Sequence, residues 1–145
     1  MAARTTAVAA MSRLYHLEPA ARARLIGQLE TMLAARSDIE FALVFGSFLD
    51  QEAFRDIDLA IWTTVSADRR ADVELATSLS DQLGMPVDVR RVNEAPEPFL
   101  FHVLRGRQIL VRDEQHLADV MERTARAYHD RAPLLRRATR EAFAP

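Results

Sequence analysis

Apolar residues along this chain recur either at helical spacing or in short uninterrupted runs. The first pattern is clearest between 19 and 35, where one side of a helix collects the apolar residues Leu25, Ile26, Leu29, Met32 and Leu33. Helices predicted in this way span 19–35, 66–83, 96–105, 114–129 and 133–143. Strands predicted from short apolar runs rich in branched and aromatic residues span 39–45, 57–62, 87–92 and 108–111. This order predicts an α/β (α+β) fold: one small mixed β-sheet of about four strands, flanked by helices.

Capping and turn residues set the expected ends of these elements. Pro19 stands at a first helical position, and Ser66 is expected to cap the helix that Gly84 ends. Residues 48–55 are expected to form a connecting loop or a short helical turn. The first sixteen residues carry no acidic group. We expect 1–16 to be an N-terminal arm or a short extra helix, followed by a single domain over 17–145.

Composition excludes several classes of function. The 145 residues include no cysteine, which rules out disulfides, a thiol nucleophile and cysteine-ligated metals. The absence of cysteine fits a reducing compartment, and we expect a cytoplasmic protein. The net charge is −2 and every basic residue except histidine is arginine, so the basic excess typical of direct nucleic-acid binding is missing. No run approaches the roughly 20 apolar residues of a membrane helix.

The segment GSFLDQEAFRDID, residues 46–58, carries the main chemical signal. Asp56 and Asp58 are two apart on a predicted strand, so their carboxylates project from the same face. Two adjacent carboxylates repel each other unless a cation lies between them, and Mg²⁺ favours a few carboxylates together with phosphate oxygens. Gly46 and Ser47 follow a buried strand, where backbone N–H groups and a hydroxyl can hold a phosphate. The segment therefore predicts a phosphate site beside a metal site, and two metals would lie about 3.5–4 Å apart.

Asp88 lies in the middle of a predicted strand, between two valines. Aspartate is disfavoured both in strands and in buried positions. Asp88 is therefore expected to be a third metal ligand, and a carboxylate there is also placed to take a proton from an attacking hydroxyl. The other interpretation is a structural ion pair with Arg90 or Arg91.

Other candidate residues carry weaker signals. Trp62 is placed on the strand face of Asp58, where it either stacks on a base or packs in the core. An arginine-rich stretch near the end of the chain is interpreted as a solvated helix face, with a partner or phosphate contact as the alternative; it contains Arg131, Arg136, Arg137 and Arg140. The four histidines lack metal-ligand spacing and are interpreted as ordinary surface or packed residues: His16, His102, His116 and His129.

Together, Gly46-Ser47, Asp56-x-Asp58 and the later Asp88 resemble the polymerase beta-type nucleotidyltransferase superfamily. More narrowly, the chain resembles the minimal nucleotidyltransferases that act as antitoxins beside HEPN toxins, from about residue 39 to the C-terminus. The resemblance implies a polymerase beta-like fold over 17–145, in which Gly46 and Ser47 hold the triphosphate of ATP. It implies that Asp56 and Asp58 bind two Mg²⁺ ions and that Asp88 binds the catalytic one.

The same resemblance implies an acceptor and a partner. A chain of this length has no second domain to hold an acceptor, so we expect a HEPN-type toxin to supply a hydroxyl, most simply that of a tyrosine. Transfer of AMP to that tyrosine would block the toxin's RNase action.

Departures from the family pattern keep other functions open. Eight residues separate Ser47 from Asp56, fewer than is common in the family. Asp50 and Glu52 also stand where many relatives have a basic residue and a glycine. These acidic positions favour an alternative in which the chain has lost its catalytic activity and neutralises its partner by binding alone. Nucleotidyl transfer to a small molecule is a further alternative.

Overall fold

The structure is a computed structural model and describes residues 13–66 and 68–142. Its strands are β1 Tyr15–His16, β2 Ile39–Phe45, β3 Ala53–Phe54, β4 Ile57–Thr63, β5 Val87–Arg91 and β6 Arg107–Val111. Its helices are α1 Pro19–Ala34, α2 Ser47–Asp50, α3 Arg69–Leu83, α4 Glu97–Leu104 and α5 Glu114–Ala142. The predicted fold class, a mixed sheet flanked by helices, is confirmed.

Four strands form the main sheet in the order β5-β4-β2-β6. β2 is antiparallel to both β4 and β6, whereas β4 and β5 are parallel and are joined through α3. β1 and β3 pair separately as a small antiparallel sheet. Because β5 is an edge strand, the residues it carries lie at an open side of the sheet.

Helices cover both faces of the main sheet. On one face, α1 and α3 pack on the buried side chains of β2 and β4 through Leu29, Leu33, Leu75 and Leu79. On the other face, α4 and α5 pack through Leu104, Leu117 and Val120 against Phe41 and Leu43. The alternation of side chains along β4 therefore sends Ile57, Leu59 and Ile61 to the first face and leaves Asp58 on the second.

Two predicted helix boundaries were wrong. Asp68, rather than Ser66, caps α3: its carboxylate accepts hydrogen bonds from the N–H groups of Arg70 and Ala71, as an N-cap side chain does. The two predicted terminal helices are one continuous helix, α5, with Pro133 inside it. Proline removes one hydrogen bond from a helix, but does not always end it.

The predicted N-terminal arm lies mostly outside the described residues. Its last part, Tyr15–His16, forms β1 and pairs with β3. Tyr15 stacks on Phe54, whose side chain is fully buried, with ring centroids 5.8 Å apart. The division into an arm and a domain stays a prediction.

Candidate active site

Strand register brings the three predicted aspartates to one end of the sheet. Asp58 lies in register with Phe45 of β2 on one side and with Asp88 of β5 on the other. Asp56 immediately precedes β4, two residues before Asp58. Since residues in register on neighbouring strands share a face, Asp58 and Asp88 project from the sheet side by side. The predicted convergence of Asp56, Asp58 and Asp88 is therefore what the backbone produces.

Gly46 lies against the Asp58 carboxylate, at the point where β2 passes into α2. Its backbone adopts φ 81° and ψ −160°, a conformation that is essentially restricted to glycine. A Cβ added here would lie 2.4 Å from Oδ2 of Asp58. Because only glycine leaves this space open, the backbone of the Gly46-Ser47 turn approaches the acidic cluster directly. The first N–H groups of α2, at Ser47 and Phe48, have no acceptor within that turn.

Burial and neighbouring negative charge raise the pKa of two of the aspartates, Asp56 and Asp58. Burial raises the pKa of Asp58 to about 6, and the negative charges of Asp56 and Asp88 add to this shift. Burial also raises the pKa of Asp56, as does the charge of Asp88, while Arg55 and Arg90 act in the opposite direction. The site is thus a half-buried concentration of negative charge, which favours a bound cation.

Arg90 is the nearby cation that the structure supplies. Its Nε donates to Oδ2 of Asp88 at 3.0 Å, and both side chains are partly exposed. This bond raises the pKa of the Arg90 guanidinium, with smaller contributions from Asp58 and Asp56. Of the two structural partners considered for Asp88, Arg90 is the one that pairs with it. Arg91 is bound to Asp72 instead.

The chemistry of the donor set fits a hard divalent cation. Carboxylate oxygens are ligands that Mg²⁺ prefers, and the mutual repulsion of Asp56 and Asp58 is relieved by a positive ion. Within 13–66 and 68–142, however, no three acidic, histidine or cysteine side chains are already arranged to hold a metal together. Asp88 is paired with Arg90. Among the described residues, Asp56 and Asp58 are the two aspartates of the set that form no ion pair.

Arg22 supports the Gly46-Ser47 turn, a role that sequence reasoning missed. From α1, its guanidinium donates to the carbonyl of Phe48, to that of Glu52 at 2.5 Å and to that of Leu17 at 3.1 Å. It also lies over the rings of Phe48 and Phe54, at 5.3 and 5.0 Å from their centroids. These contacts fix the segment that follows the glycine. No local sequence signal predicts a bond between residues 26 and 30 positions apart.

The other residues singled out in the sequence lie away from this chemistry. Trp62 stacks on Phe41 at 5.3 Å and meets His116 edge-on, so its packing role is the one observed. The arginine-rich stretch lies on the exposed end of α5, where Arg131 pairs with Glu97 and Arg137 with Glu141. Asp50 and Glu52 are exposed at the end of α2 and just beyond it.

A mixed sheet with carboxylates on two parallel neighbouring strands, beside a glycine turn, is an α/β arrangement suited to nucleotide transfer. The chain matches the family model described as polymerase beta, nucleotidyltransferase, over residues 27–115. It therefore belongs to the polymerase beta nucleotidyltransferase family. No curated protein matches the chain.

Solved structures share the fold. One is a chain of the complex between the tri-AMPylated HEPN toxin of Shewanella oneidensis and its MNT antitoxin. It matches with a TM-score of 0.64 and 21% identity, covering 83% of this chain and 93% of that one. The MntA-HepT toxin–antitoxin gives a TM-score of 0.61 at 21% identity, over 81% and 92% of the two chains. A toxin–antitoxin with AMP-PNP gives a TM-score of 0.64 at 22% identity, over 81% of this chain and 93% of that one.

Among the described residues, no helix is both long and apolar enough to cross a membrane.

Proposed function

We propose that this chain is an antitoxin that transfers AMP from ATP to a tyrosine hydroxyl of a HEPN-type toxin. The observation that carries the proposal is the convergence of Asp56, Asp58 and Asp88 beside the open backbone of Gly46. The structures that share the fold include a tri-AMPylated HEPN toxin with its antitoxin and a complex with an ATP analogue. Those two facts support ATP as the donor and a HEPN-type toxin as the acceptor.

Each site residue has a separate task in this proposal. Gly46 and Ser47 hold the triphosphate through backbone N–H groups and the serine hydroxyl. Asp56 and Asp58 would hold two Mg²⁺ ions, and Asp88 would join the ligands of one of them. When bound, the ions neutralise phosphate charge and align the attacking and leaving oxygens. The Asp58 carboxylate, with its pKa near 6, stays ionised above that pH and so remains a ligand at neutral pH.

The reaction is an in-line displacement at the α-phosphorus of ATP. The tyrosine oxygen forms a bond to that phosphorus, while the bond to the oxygen bridging the α- and β-phosphates breaks. Pyrophosphate leaves with the electron pair, and the hydroxyl proton passes to the carboxylate of Asp88. Because such transfer depends mostly on positioning and charge, a partner that presents the hydroxyl in line is sufficient. A cytoplasmic location, which we also propose, would supply the ATP that this reaction consumes.

Mass spectrometry of the partner tests the proposal. The purified chain is incubated with its HEPN-type partner, ATP and Mg²⁺, and the partner is then weighed intact. We expect the partner to gain AMP-sized mass increments with the wild-type chain and none with the D56N/D58N variant. Peptide mapping should locate the added AMP on a tyrosine of the partner. An unchanged partner mass, or the same increments with the variant, would rule out the enzymatic function.

A masking antitoxin is the second candidate. Asp88 is held by Arg90, and Asp50 and Glu52 add acidic side chains after the Gly46-Ser47 turn, which favours a site that no longer transfers. In that case a chain with all three aspartates replaced by asparagine neutralises the toxin as well as the wild type. Calorimetry would then also show no binding of ATP with Mg²⁺.

A further inference from the structure

A groove of about 790 Å³ runs along the open edge of the sheet and includes Asp88 in its lining. We call it the β5 groove. One wall is the N-terminal half of α3, including Asp72 and Val73, and the other is β5 with the following turn at Asn93. Asp88 and Arg90 line one end. The groove is therefore continuous with the candidate active site.

The main chain of β5 offers hydrogen bonds to this groove. The carbonyl of Pro86 accepts from the N–H of Ile57, and the N–H of Val92 donates to the carbonyl of Ile61, so the backbone groups of the even-numbered residues in this stretch point to β4. Because alternate residues of a strand direct their backbone groups to opposite sides, the N–H and C=O groups of Val89 and Arg91 point away from β4. β5 has no strand on that side in the described sheet. An edge of this kind pairs readily with an extended segment of another chain.

Two apolar side chains are displayed in the same groove. Val65 is 52% exposed and Val73 is 60% exposed. They are two of only four large apolar side chains that are exposed in the described part of the chain, the others being Leu14 and Leu134. Their convergence on one groove provides anchors for apolar side chains of a bound segment.

Hydrogen bonds within the chain fix the walls of the β5 groove. Arg91, whose side chain is 10% exposed, binds both carboxylate oxygens of Asp72 at 2.9 and 3.1 Å. It also donates to the carbonyl of Val65 at 3.0 Å. The side chain of Asn93 exchanges two hydrogen bonds with the backbone of Thr63, at 2.8 and 3.0 Å. A preformed groove binds with less loss of conformational entropy.

In-line geometry identifies the occupant, given the proposed function. Asp58 lies between the turn at Gly46 on the β2 side and Asp88 on the β5 side. If the triphosphate is held at Gly46, the attacking oxygen approaches from the opposite side, which is the side of Asp88 and the β5 groove. We propose that an extended segment of the partner protein pairs with the edge of β5, seats apolar side chains on Val65 and Val73, and so presents its acceptor hydroxyl at Asp88.

Hydrogen exchange tests the docking separately from the chemistry. The ¹⁵N-labelled chain is mixed with a saturating concentration of its HEPN-type partner, without ATP, and amide exchange is followed by NMR. We expect exchange at Val89 and Arg91 to slow at least tenfold. Unchanged exchange at both amides would overturn the inference. Protection that instead rises with the concentration of the chain alone would mean that a second copy fills the groove, and would overturn it too.

Kinetics with groove variants provide the second readout. The V65E/V73E double variant changes two exposed side chains, so it should fold. We expect its KM for the partner to rise at least tenfold, while kcat and the KM for ATP stay unchanged. The matched control is L14E, at an equally exposed leucine outside the groove, which should leave all three constants unchanged. If wild-type chain transfers AMP and V65E/V73E keeps a normal KM for the partner, the docking inference is wrong. If wild-type chain transfers nothing, the proposed function fails, and the exchange measurement still decides the docking.

Discussion

Asp58 combines partial burial with the negative charges of two neighbouring aspartates. Its carboxylate is half-buried and has two acidic neighbours, and burial followed by these negative charges raises its pKa from about 4 to about 6. A pKa raised by folding means that the folded state binds the proton more tightly than the unfolded state. The resulting stability is fully present below pH about 4 and is lost as the pH rises through about 6. Keeping this carboxylate ionised therefore destabilises the metal-free protein at neutral pH.

Asp58→Asn should accordingly stabilise the metal-free chain at pH 8 but not at pH 4. The amide removes the repelling charge, whereas at low pH the wild-type carboxyl is already neutral. Thermal unfolding in the presence of a chelator measures this as a difference in Tm between variant and wild type at each pH. The exposed Asp81→Asn on α3 is the control and should show no such dependence. An equal Tm difference at both pH values would contradict the electrostatic account.

Gly46 and Gly27 make a matched pair of glycines. Gly46→Ala should destabilise the chain by about 1–3 kcal/mol, because alanine is strained at φ 81° and its Cβ meets Asp58. Gly27→Ala lies in open space within α1 and should stabilise it by about 0.5–1 kcal/mol. Urea unfolding measures both. Gly46→Ala should also lose AMP-PNP binding in calorimetry, and retention of that affinity would show that the turn does not hold the nucleotide.

Arg90 provides a positive charge at the acidic edge. Its guanidinium is exposed, pairs with Asp88 and is available to phosphate oxygens once a cation takes the aspartates. Arg90→Gln should weaken AMP-PNP binding by about tenfold, the loss of one charge-assisted hydrogen bond. Calorimetry with Mg²⁺ measures the dissociation constant. Arg70→Gln, which removes an exposed ion pair with Glu74 on α3, should leave that constant unchanged.

At the scale of elements, one side chain of α1 helps to hold α2 and the segment that leads to β3. Arg22 donates to the backbone carbonyls of Phe48, within α2, and of Glu52, just beyond it, and stacks on two buried phenylalanines. Arg22→Met should cost about 1–3 kcal/mol of unfolding free energy, because several carbonyls lose their donor. It should also weaken AMP-PNP binding, since the Gly46-Ser47 turn loses its support.

Arg24→Met is the control on the same helix, at an exposed position. It should stay within about 0.5 kcal/mol of wild type in urea unfolding. If Arg22→Met behaved in the same way, the support attributed to Arg22 would be wrong.

The elements show how far the sequence predicts this structure. The strand 39–45 and the short strands that carry Asp58 and Asp88 follow from apolar runs, which report burial directly. Local rules failed where two signals competed. Ser66 and Asp68 are both residue types that cap helices, and Pro133 predicts a break although an exposed helix continues through it. The contacts of Arg22 and Arg90 depend on tertiary structure and on rotamers, so residue spacing alone did not reveal them.

At the scale of the whole molecule, the sheet presents its chemistry at one open edge. α1 and α3 cover one face, and α4 and α5 cover the other. The outer edge of β5, the strand that carries Asp88, has no strand partner in the described sheet. An enzyme built in this way needs an acceptor brought by another molecule. The proposed HEPN-type partner meets that need, and the same edge then serves both docking and transfer.

Labelled ATP tests the central claim most directly, because it follows the phosphorus that moves. The chain and its HEPN-type partner are incubated with Mg²⁺ and ATP labelled at either the α- or the γ-phosphate. The account predicts that the α-label becomes attached to the partner and that the γ-label is released in pyrophosphate. Label on the partner from the γ-phosphate, or no label from either, would contradict transfer of AMP by the Asp56, Asp58 and Asp88 site.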